Sequence, residues 1–217
     1  MSPRERILDA AMTVFRRHGF RRSSIEETAE AAGLTRQALY HHFKSKEALF
    51  RAVIERVHDG ALADGAVAAG SAEAAGKALA DIIVAQVVAR LKAFVASFDG
   101  SPHVDELFSE HLNHARDLYQ QYAALHDAQI AATIERVVKR QKLALAPGMT
   151  AAKLARYLEL AVTGTKSAYP SMRPADAFLR DAEAMLRTLI AGALAPSNPK
   201  KPSPSARPVR RKSGARK

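Results

Sequence analysis

Apolar residues at the start of the chain recur at helical spacing in separate short runs. Ile7, Leu8, Ala11, Met12 and Phe15 fall on one stripe behind Ser2-Pro3-Arg4-Glu5, a capping box with proline at the first helical position. This predicts a helix from there to a break at His18-Gly19. Ser24 and Glu27 form a second capping box, Ile25, Ala29 and Ala32 supply an apolar face, and Gly33 allows the left-handed backbone that ends a helix. Thr35 caps a third run in which Ala38, Leu39 and Phe43 face inward. Two short helices about a tight turn predict a helix-turn-helix. Ser45 opens a longer helix carrying Leu49, Phe50, Val53, Ile54 and Val57 on one side and expected to run to about Ala63. Glycines at 60, 65, 70 and 76 then predict a loop or hinge.

The rest of the chain is also helical in pattern. Ser71 is expected to open a helix with Leu79, Ile83, Val87, Leu91, Phe94 and Phe98 three or four residues apart, stopped by Asp99-Gly100-Ser101-Pro102. Helix is expected from Pro102 to about Ala146, with a break near Ala115 to Asp117 and an end at Pro147-Gly148. Thr150 to about Ala168 and Arg173-Pro174 to Pro196 give the last two. The sum is an all-α fold of about nine helices without a sheet. The final pair, with Leu154 and Leu158 on one helix and Met185, Leu186 and Leu189 on the other, has more apolar width than one body needs.

Composition agrees, with 47% hydrophobic and 25% charged residues as in an ordinary globular protein. The absence of cysteine excludes disulfides and thiolate metal sites. Charges stand where a signal peptide needs its apolar stretch, and the run Ile82 to Ala89 is well short of the roughly 20 residues that span a bilayer. The expectation is a cytoplasmic protein.

Charge is distributed in blocks: net +3 over residues 1–50, zero over 51–195 and +8 over 196–217. A neutral body between a basic head and a basic tail points to a polyanion at the ends. The tail is too rich in proline and charge to fold, and is expected to be disordered. It reads either as a polycation that adds salt-sensitive DNA affinity or as a solubilising extension.

The free face of the third run carries chemistry suited to double-stranded DNA. Gln37 can pair with adenine, Arg36 can fork onto guanine or phosphate, and Thr35 can meet a thymine methyl or a phosphate oxygen. Thr35 to Ala38 is therefore the expected reading run, with Ser24 at the head of the preceding helix. Tyr40, His41 and Lys46 are the expected phosphate clamps.

The run from Arg6 to Phe50, with Ala10-Ala11, Phe15, Gly19-Phe20, Ser24-Ile25, Ala32-Gly33-Leu34, Leu39-Tyr40-His41-His42-Phe43 and Lys46-Glu47, resembles the N-terminal domain of TetR-family transcriptional regulators. Ser24 stands where that family more often has threonine. The resemblance implies a three-helix DNA-binding domain over 1–50, joined by a connector helix to an effector-binding and dimerisation domain over 51–195. It implies a homodimer paired through the last two helices. It also implies a palindromic operator, a repressor's action and release by a small-molecule effector. A dimer would set its two reading helices one DNA turn apart, about 34 to 36 Å.

An effector cavity in such a body would draw on the aromatics Phe94, Phe98, Phe108 and Tyr157. His111, Tyr119, Tyr122 and His126 are either its polar groups or core packing. His111 and His114 have spacing that can put two imidazoles on one face, but a metal site needs a third ligand such as Glu110 or Asp117. No metal, cofactor or catalytic constellation is expected. The rival to an effector-responsive regulator is an effector-independent or architectural DNA-binding protein that uses the basic tail.

Overall fold

The computed structural model describes residues 2–195, so the basic tail lies outside the described residues. Among these residues the fold is all-helical, with nine α-helices and one short 3-10 turn.

Helix α1 (Pro3–Arg22) starts at its capping box, where the Glu5 N–H donates to Ser2 Oγ at 3.2 Å, and kinks at Gly19, whose φ is 77°. Helices α2 (Ile25–Ala31) and α3 (Arg36–His42) flank a turn closed by Gly33 and Leu34, whose N–H groups donate to the Glu30 and Ala29 carbonyls. Leu39 is wholly buried on the inner side of α3, and at the centre of this head Phe15 and Phe50 pack edge to face with Phe20 tilted against both.

Helix α4 (Lys46–Ala74) does not stop near Ala63, and the expected glycine hinge is continuous helix. The reason lies in α5 (Leu79–Phe98), which runs closely along α4. A Cβ on Gly65 would stand 2.8 Å from the Gln86 carbonyl oxygen, so this glycine admits a neighbouring backbone. Packing along α5 outweighs the glycines' weak propensity, of order 1 kcal/mol each. Ser71 accordingly lies in the last turn of α4 and opens nothing. Gly76, at φ 67°, ends that helix, and Lys77 N–H closes back on the Ala72 carbonyl.

Helices α6 (Val104–His114) and α7 (Arg116–Gln141) part at Ala115, as the pattern predicts. Helix α7 ends before Ala146 because Lys142 turns left-handed and Leu143 N–H caps the Val138 carbonyl. Ala144 and Ala146 then bond to Ala195 and Ala193, an isolated antiparallel bridge that ties this segment to the end of α9. Helix α8 (Ala151–Ala168), the turn Pro170–Met172 and α9 (Ala175–Ala193) complete the body.

Candidate nucleic-acid interface and ligand cavity

Thr35 caps α3 by accepting the Ala38 N–H at 3.1 Å, while Leu39 and Phe43 anchor the helix from below. Gln37, His41 and His42 are exposed on its outer side. Arg36 is held by Glu26 of α2 at 2.7 Å and lies over the Tyr40 ring, so one cation of the face starts from an internal ion pair. Ser24 uses its hydroxyl within its own capping box, accepting from Glu27 N–H and donating to the Glu27 carboxylate. Ala38 is half-buried at the first turn.

Lys46 is placed differently from the rim position that its sequence context suggests. Its ammonium donates to the carbonyls of Phe20 at 2.9 Å, Ser23 at 3.0 Å and Arg21 at 3.3 Å, and lies 4.6 Å from the centre of the Phe20 ring. It closes the C-terminal end of α1, whose carbonyls have no helical partners and carry the negative end of the helix dipole. Lys44, which sequence reasoning left out, is instead exposed beside the end of α3.

Polar contacts tie this head to the body. Glu106 of α6 accepts the Arg21 backbone N–H at 2.7 Å, and buried Glu110 takes the Arg21 guanidinium at 2.8 Å. Asp9 of α1 holds Arg56 of α4 at 2.7 Å, and Ser101 Oγ donates to the Arg16 carbonyl at 2.7 Å.

Behind α6 the body encloses a cavity of about 580 Å³ between α4, α5, α6, α7 and α8. Its apolar wall includes Leu62, Leu91, Phe94, Phe108 and Met172. Of the sequence-predicted set, Phe94, Phe108, His111, Tyr119 and Tyr122 line it. Three do not. Phe98 turns to a separate cleft with Val95 and Pro174, and Tyr157 is 46% exposed on the outer side of α8. His126 lies buried behind the cavity wall, with its Nδ1 3.1 Å from Glu159.

The charged lining was not anticipated. Arg90 of α5 meets Glu159 of α8 at 3.3 Å, both buried. Burial alone would raise the Glu159 carboxyl, but the His126 hydrogen bond and the Arg90 and Lys166 charges outweigh it and hold it at about 2. His58 and His111 face each other with Nε2 atoms 3.2 Å apart, one donating and one accepting. Burial first, then the neighbouring His111, Arg90 and Lys166, pushes His58 down to about 3, and burial with the Lys166 charge pushes His111 to about 4. Both are neutral at pH 7. Lys166 of α8 also faces the cavity, its ammonium 5.2 Å from the centre of the Tyr119 ring.

The possible metal pair His111 and His114 does not converge. His111 faces the cavity and His58, whereas His114 bonds Glu110 at 3.1 Å and packs on Phe20. His126, Asp127 and Glu159 do bring one ligand atom each within 4.8 Å of one another. Arg90, already on Glu159, places a positive charge where a cation would have to sit, so the set reads as a buried ion network.

The described residues thus form a helix-turn-helix head on a helical body with an internal cavity of about 580 Å³. Residues 7–53 match the family described as "Bacterial regulatory proteins, tetR family". The HTH-type transcriptional repressor ComR of Escherichia coli K12 is 43% identical over 56 residues, 26% of this chain and 27% of that protein. The regulator UidR of the same strain is 42% identical over 60 residues, 28% of this chain and 31% of that protein. The match therefore spans less than a third of either relative, all of it in the head. The body's likeness is one of fold: SmeT, the repressor of the Stenotrophomonas maltophilia multidrug efflux pump SmeDEF, superposes with a TM-score of 0.60 at 23% identity, over 89% of this chain and 91% of its own. Over these residues the head is similar to the DNA-binding domain of TetR-family transcriptional regulators.

Proposed function

We propose that this chain is a homodimeric transcriptional repressor that binds a palindromic DNA operator and leaves it when a small molecule fills the cavity. The observation that carries this reading is the position of α6. One side of it, with Phe108 and His111, lines the cavity, and Glu106 and Glu110 on the other hold Arg21 of the head. Thr35, Gln37 and His41 on α3 are the proposed reading and clamping groups, with Lys44 replacing Lys46 as a phosphate contact. Arg36 joins them on exchanging Glu26 for DNA. The division between head and body is proposed near residue 50, within α4, so the helix that begins beneath the reader passes the cavity wall at His58, Ala61 and Leu62.

Dimerisation is proposed through α8 and α9, where Tyr157, Leu160 and Met185 stay 43–48% exposed while their neighbours Leu158 and Leu186 are buried. An outward apolar face of this kind fits a twofold pairing of the two helices. A ligand releases DNA only if it binds the non-operator arrangement more tightly than the operator-bound one. Among the described residues no helix is long and apolar enough to cross a membrane.

The test is selection of bound fragments from a random DNA pool. An inverted repeat with half-sites about one turn apart supports operator reading by a dimer. Recovery of sequence-independent fragments would rule it out.

A further inference from the structure

The cavity's charges do not balance. Glu159 is engaged by Arg90 at 3.3 Å and by His126 at 3.1 Å, so its carboxylate is already answered. His58 and His111 satisfy each other and are neutral, and Tyr122 donates its hydroxyl to Asp59 at 2.5 Å, away from the lumen. Asp105, the other acid on the wall, is exposed at the mouth. What remains inside is the half-buried ammonium of Lys166, which among the described residues has the face of Tyr119 as its close partner and no carboxylate. A ring face offsets part of a cation's desolvation, but it leaves the donors of the ammonium without acceptors.

We propose that the cavity takes an apolar, ring-bearing carboxylate, with the carboxylate on Lys166 and the apolar body against Phe94, Phe108 and Leu91. This deepens the effector reading and rests on it. A cationic ligand would meet Lys166 and Arg90 without a free acid to answer it, and a neutral one would leave the ammonium unpaired. A carboxylate supplies the missing charge and accepts two or more of the N–H donors. The aromatic wall sets the preference for a flat body over a polar one.

The experiment is calorimetry of the full chain with three probes that share one ring system: 2-naphthoate, 2-naphthalenemethanol and 2-naphthylmethylamine. The expected order places naphthoate on the order of tenfold to a hundredfold tighter than the alcohol, with the amine weakest. Lys166→Met should erase the carboxylate's advantage while the alcohol still binds, and Lys166→Arg should keep it. Equal binding of the three heads, no binding of naphthoate, or an advantage that survives Lys166→Met overturns the assignment. Release of the selected DNA is followed in the same samples. Naphthoate that binds with the expected preference but leaves DNA affinity unchanged removes the effector role and leaves the ligand class standing. Alcohol that releases DNA where naphthoate does not bind removes the ligand class and leaves the effector role.

Discussion

The Glu106 carboxylate accepts the Arg21 N–H at 2.7 Å and fills the space beside Gly19, where an added Cβ would stand 2.6 Å from its oxygen. The kink in α1 and the grip of α6 are thus one feature, because the left-handed glycine turns the chain so that the N–H points at the carboxylate. Gly19→Ala would force a side chain into left-handed backbone and into Glu106. The expected loss is roughly 1–3 kcal/mol of stability, read as a lower urea midpoint, together with weaker coupling between ligand and DNA. An unchanged midpoint would show that the contact is not held in solution.

Lys46 supports the same junction from the other side, on three carbonyls at the end of α1. Lys46→Met should therefore lower the melting temperature of the head by leaving those carbonyls unsatisfied, at about 1–3 kcal/mol. A phosphate clamp would behave otherwise, with stability unchanged and the salt slope of DNA binding reduced by about one. Thermal melts and a salt titration of the same variant separate the two.

Gln37 is exposed on α3 and makes none of the described hydrogen bonds, so its amide is free to meet a base edge. Gln37→Ala should relax discrimination at one operator position by about 1–3 kcal/mol and leave stability unchanged. Parallel binding to operators mutated at each position measures this. A uniform loss across all positions would place Gln37 on the backbone instead.

The head was legible in the sequence because its signals are local. Ser24 with Glu27, Gly33, and Thr35 before Leu39 each fix a cap or turn within a few residues, and the structure shows every one of those bonds. The contacts of Lys46 gave no local signal, because the carbonyls it meets are some 25 residues earlier, at the end of another helix. The glycines of α4 misled for a related reason: Gly65 answers to the backbone of α5, a neighbour that propensity does not see. Half of the cavity was legible as aromatics, while its charges were overlooked although their register gave a signal. Arg90 stands between Val87 and Phe94, and Glu159 and Lys166 flank Val162, so each is a charge on an apolar stripe. Such a charge must either be paired in the interior or face a cavity.

His58, His111 and His126 make the body acid-sensitive. Burial holds them at about 3, 4 and 4, below the ordinary 6.5. Between those values and 6.5 the unfolded chain binds protons that the folded chain refuses, so stability falls as pH falls through this window. At pH 5 the loss approaches roughly 2 kcal/mol for one such histidine, and less than double for the coupled pair His58 and His111. Urea melts at pH 7.5 and pH 5 should show the drop, and His111→Gln should flatten it. Equal midpoints at both pH values would mean that the histidines titrate freely.

Lys166 gives the opposite flank of the pH profile. Burial first and the Arg90 charge second push its ammonium down to about 8 from 10.5, with Glu159 opposing them. Tyr119, His58 and His111 are the other titratable groups around it. Between pH 8 and 10.5 the unfolded chain holds a proton on this group that the folded chain has lost, so stability attributable to it rises with pH across that window and is lowest below pH 8. Lys166→Met should remove the slope and raise stability at pH 7 by roughly 2–3 kcal/mol. Naphthoate affinity for the unaltered chain should run the other way, steady below pH 7 and falling as the ammonium discharges above pH 8. Stability and affinity measured on one pH series should therefore change in opposite directions, as follows where a desolvated ammonium gains its close carboxylate partner only from the ligand.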